Sequence, residues 1–61
     1  MNVEFTWFFR FSIRDKGQTV ELSTLVVATD AHKAWNKLVA DQMSRHEIPR
    51  TDIDILVMNK V

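Results

Sequence analysis

Residues 3–14 alternate without a break. Val3, Phe5, Trp7, Phe9, Phe11 and Ile13 fall on one side, and Glu4, Thr6, Phe8, Arg10, Ser12 and Arg14 on the other. A period of two, filled with aromatic and β-branched residues, predicts a long strand with one buried face. Such a strand needs hydrogen-bonding neighbours and a layer to cover its aromatic side, and the rest of the chain must supply both.

The segment Asp15-Lys16-Gly17-Gln18 contains the single glycine and reads as a turn, because glycine adopts a positive φ at little cost. Strand character resumes over residues 19–28, which makes the pair a β-hairpin. Val20, Leu22, Val26 and Ala28 form one inward set that Thr24 interrupts, while Leu25 and Val27 belong to the opposite set. Either the end of this strand is apolar on both faces, or a bulge near Ser23-Thr24 switches its phase.

Thr29-Asp30 offers a side-chain cap for a helix. Ala31, Ala34, Trp35, Leu38, Val39, Gln42 and Met43 follow at spacings of three and four, the stripe of an amphipathic helix. Arg45 and His46 near its end suit the helix dipole, and Pro49 prevents continuation. Residues 51–59 read as a third strand, with Ile53, Ile55 and Val57 on one side and Asp52, Asp54, Leu56 and Met58 on the other.

The expected fold is one small α+β domain over residues 1–61, in the order ββαβ. The helix links strands two and three, and right-handed crossovers are strongly favoured. The long apolar first strand belongs in the middle, giving a three-stranded mixed sheet of order 2-1-3 with the helix on one face. That helix is expected over Phe5, Trp7, Phe9, Phe11, Ile55 and Val57. The opposite face would then show Phe8, Leu25, Val27, Leu56 and Met58, flanked by Arg10, Arg14 and Lys60. A contiguous apolar patch of this kind marks a contact surface. The free edge of strand two, residues 21–27, carries no lysine or proline of its own to discourage pairing.

Size and composition point the same way. A domain of 61 residues buries only about 60% of its unfolded surface and is marginal alone. Small scaffolds commonly need a disulfide, a metal or a partner. The chain has no cysteine, which removes disulfides and cysteine–metal sites and suits a reducing compartment. Self-association is the staple that remains. Hydrophobic residues are 46% and charged residues 26% of the chain, the make-up of a folded globular domain. No apolar run approaches the roughly 18 residues that span a bilayer. The start, MNVEFTWFF, has no basic leader, so a cytoplasmic protein is expected.

The residues that could carry chemistry are few. His32 and His46 lie fourteen positions apart, roughly 21 Å along one helix, too far to share a metal. Asp52 and Asp54 alternate on one strand face but lack a third carboxylate at suitable spacing, and solubilising charge at a sheet edge accounts for them. Ser12, Ser23 and Ser44 have no histidine and carboxylate nearby in sequence. One glycine cannot build a phosphate loop. No catalytic residue, metal site or cofactor site is therefore assigned. An enzyme assembled across a dimer from Asp52, Asp54 or His32 ranks last.

Two functions follow from this reading. The first is a small non-enzymatic protein-interaction or regulatory protein. It would be a homodimer, or bind a host or regulatory protein, through Phe8, Arg10, Leu25, Val27, Leu56 and Met58 or through an edge strand. Short cysteine-free chains of this kind fit the accessory proteins of phages and mobile elements. The second is a nucleic-acid-binding accessory protein using Arg10, Arg14, Lys16, Lys33 and Lys37 beside Phe8. Eight basic and eight acidic residues give a formal net charge of zero. That balance disfavours nucleic acid, since phosphate neutralisation supplies most of such affinity.

Overall fold

A computed structural model of the chain describes residues 3–61. β1 (Phe5–Asp15) and β2 (Gln18–Ala28) form a hairpin, followed by helix α1 (Ala31–His46), a 3-10 turn (Arg50–Asp52) and β3 (Ile53–Lys60). The sheet order is β2-β1-β3, with β1 in the centre. Both ladders are antiparallel, so the sheet is antiparallel throughout rather than mixed. The two strands that share a direction, β2 and β3, are never neighbours.

The hairpin turns on Lys16 and Gly17 alone, both with positive φ, at 53° and 79°. Two successive positive values are the signature of a type I′ turn, whose twist matches that of the strands it joins. The β1–β2 register runs unbroken from Asp15↔Gln18 to Phe5↔Ala28. No bulge occurs near Ser23-Thr24. Val20, Leu22, Thr24, Val26 and Ala28 all stand opposite the aromatic side of β1, and Thr24 is simply a polar member of the inward set.

The irregularity lies in β3 instead. Phe11 pairs with Ile55 and Arg10 with Val57, so Leu56 is an extra residue at a bulge. Beyond it the alternation is inverted. Val57, expected under the helix, stands opposite Arg10 on the open face. Met58, expected on the open face, stands opposite Phe9 on the helix side.

Asp30 caps α1, its Oδ1 accepting from the Lys33 amide at 2.8 Å. At the other end Glu47 adopts the left-handed conformation that closes a helix, with φ 53° and ψ 46°. The helix lies along β2 and the adjoining part of β1 and barely meets β3. This departs from the expected cover over Ile55 and Val57: Ile55 remains 42% exposed. The core comprises Phe9, Phe11 and Ile13 of β1, Ala28, Ile53, Ile48, and Ala34, Leu38 and Val39 of α1. Trp35 packs on it with its ring 6.0 Å from that of Phe9. Trp7 joins the same layer and donates its indole N–H to the Ala28 carbonyl at 3.0 Å. The body measures 43 × 18 × 14 Å, the thickness of one helix laid on one sheet.

Candidate interaction surface

The side of the sheet away from α1 is built in rows by the two registers. Thr6 stands beside Val27. Phe8 lies between Leu25 and Asn59, Arg10 between Ser23 and Val57, and Ser12 between Glu21 and Asp54. Side chains in one row are within contact range, and diagonal neighbours are within reach of long side chains. Phe8 is half-buried, whereas Leu25, Val27 and Leu56 are exposed at 62%, 49% and 50%. Phe8, Leu25 and Val27 therefore form an apolar strip across β1 and β2, and Leu56 and Val57 of β3 lie on the same side, Val57 diagonal to Phe8 with Asn59 and Arg10 beside it.

Polar residues bound this area on one side. Arg10 reaches diagonally across the β1–β2 ladder to Glu21, pairing through both Nε and a terminal nitrogen, with both side chains about half exposed. Beyond the pair is a polar cleft of about 220 Å³ lined by Ser12, Arg14, Thr19, Thr51, Asp52 and Asp54. It sets one guanidinium among two carboxylates and three hydroxyls. Among the described residues no three His, Cys, Asp or Glu side chains group as metal ligands would. His46 is engaged elsewhere, its Nδ1 3.4 Å from an Asp15 carboxylate oxygen, where it ties the end of α1 to the hairpin.

The structure thus brings Phe8, Arg10, Leu25, Val27 and Leu56 to one side of the sheet and sends Met58 to the other. Met58 lines a second, apolar cleft of about 220 Å³ with Ala31, His32, Trp35 and Ile55, in the gap that α1 leaves over β3. Sequence reasoning missed both Val57 and this cleft. The signal was the unbroken apolar run from Ile55 to Met58, which abandons alternation and so leaves the phase of the strand undefined.

Compared with models of known protein families and with curated proteins, the chain matches none.

The five basic residues considered for nucleic acid do not share a surface. Arg10 and Arg14 lie on the open face, with Arg10 held by Glu21, and Lys16 lies at the hairpin tip. Lys33 and Lys37 are on α1, across the sheet from Arg10. Lys37 donates to the Val27 carbonyl at 2.7 Å. No helix among the described residues is long and apolar enough to cross a membrane.

Proposed function

We propose that the chain is a non-enzymatic protein-interaction protein that acts as a homodimer, two copies meeting through their open sheet faces. One observation carries this reading. On the side of the sheet that α1 leaves open, Phe8 stands opposite Leu25 with Val27 and Val57 diagonal to it, so all three strands place apolar residues around it, beside Asn59 and Arg10. Sheet faces pack well against each other when their residues interdigitate, at a spacing of about 10 Å. A second copy offers the same pattern by symmetry, with Leu25 and Val27 as its exposed knobs beside the half-buried Phe8. The absence of cysteine suits work in a reducing compartment such as the cytoplasm, and an accessory role in a phage or mobile element fits the size.

Multi-angle light scattering at micromolar concentration tests the reading. The expected mass is that of at least two chains, halved in Phe8→Asp and in Leu25→Asp. A folded single chain at every accessible concentration argues against it. In that case a host or regulatory protein is the alternative occupant of the same face, and co-purification from the native source identifies it. The nucleic-acid reading is weakened by the Arg10–Glu21 pair and by the scatter of the basic residues.

A further inference from the structure

β2 forms an outer edge of the sheet over its whole length. In a two-residue hairpin the closing pair, here Asp15 and Gln18, is hydrogen-bonded, and the pattern alternates from there. Even-numbered residues of β2 therefore bond to β1. Odd-numbered residues turn their N–H and C=O groups outward. The Lys37 ammonium on the Val27 carbonyl agrees with this direction and closes the edge at that point. From Thr19 to Leu25 no side chain of the described residues takes up the outward groups. The strand here has no bulge and no proline. The edge of β3 is different, since its bulge breaks the run of regularly spaced groups.

The symmetric ways in which such an edge can pair with itself are few. Outward groups must face outward groups, so odd residues oppose odd residues. Centring the pair on Glu21 sets two carboxylates directly opposite each other, an unfavourable contact. Centring it on Ser23 requires the Val27 carbonyl, which Lys37 occupies. Centring it on Leu22 sets Glu21 opposite Ser23 and Thr19 opposite Leu25, opposes no like charges and leaves Val27 to Lys37. Every outward amide over residues 19–25 then meets a carbonyl of the other strand.

We infer that the β2 edge over residues 19–25 joins the same segment of a second copy, antiparallel, with Lys37 fixing the register. The product is a continuous six-stranded sheet with both helices on one side and both open faces on the other. This joint is separate from the face contact proposed above, and the two together assemble four chains.

Amide hydrogen exchange followed by NMR, at dilute and at assembling concentration, tests it. The expected result is that the amides of Glu21, Ser23 and Leu25 slow about tenfold or more in the assembled protein, because they acquire hydrogen-bond partners. Ser23→Pro removes an outward N–H that β1 does not use, so an edge strand tolerates it. This variant is expected to abolish edge assembly while its remaining β1–β2 amides stay protected. Equal exchange of the three wild-type amides in dilute and assembled protein overturns the inference, and the face reading survives if Phe8→Asp still lowers the mass. Slowed edge amides with a mass that Phe8→Asp leaves unchanged sustain the inference and remove the face reading.

Discussion

Met58 stands opposite Phe9 across the β1–β3 ladder, on the helix side of the sheet, because Leu56 is an extra residue in β3. Its neighbour Val57 thereby joins Phe8 on the open face. Aspartate at these two adjacent positions should have opposite consequences. Val57→Asp places a charge in the proposed contact and should lower the assembled mass in light scattering. Met58→Asp places it in the cleft beside Trp35 and should leave the mass unchanged. Equal effects would show that the two side chains do not part at the bulge.

Gln42 lies on the buried stripe of α1, 8% exposed, and its Oε1 finds no hydrogen-bond partner among the described residues. Its amide nitrogen reaches only Asp41, at 3.4 Å. A buried polar atom without a partner costs about 1–3 kcal/mol. Gln42→Leu keeps most of the volume and removes the polar atom. It should stabilise the fold by about 1 kcal/mol, raising the melting temperature by roughly 4–8 °C for a domain of this size. A lower melting temperature would mean that the amide is satisfied in solution.

Among the described residues three hold positive φ: Lys16, Gly17 and Glu47. A Cβ on Gly17 would meet nothing within 4 Å, so the cost of Gly17→Ala comes from backbone conformation alone. That cost should be about 1 kcal/mol in urea denaturation. The reverse change at the end of α1, Glu47→Gly, relieves a side chain from the left-handed region and should stabilise by about 0.5–1 kcal/mol. If both substitutions destabilise equally, backbone strain is not the controlling term.

Phe9 is fully buried and meets Trp35. Phe9→Ala should cost about 3–5 kcal/mol. A chain of 61 residues has in total only about 3–9 kcal/mol to lose. Circular dichroism should therefore show Phe9→Ala largely unfolded when dilute. Partial recovery of structure at high concentration would show how much assembly contributes to the fold.

The features legible in the sequence were those set by local periodicity. Alternation over residues 3–14 located β1, Gly17 located the turn, and Asp30 and Pro49 bracketed the helix. Pairing order followed from the apolar length of β1. What escaped was set by geometry between elements. The bulge at Leu56 depends on how β3 meets β1, and the run from Ile55 to Met58 is apolar at every position and so carries no phase. Lys37 sits nine positions beyond Ala28, the last residue of β2, and nothing in its spacing shows that it turns back onto the Val27 carbonyl. The same limit hid the polar cleft, which forms only when Ser12, Thr19 and Asp54 are brought side by side.

The slight contact between α1 and β3 also bears on the order in which the fold forms and opens. The hairpin and the helix that follows it are linked by short loops and pack on each other, so they can assemble from neighbouring stretches of chain. β3 must return across the domain and, beyond Ile53 in the core, is held mainly by its ladder to β1. Its outer half should therefore dock last and detach first, so that its amides exchange sooner than those of the hairpin and helix.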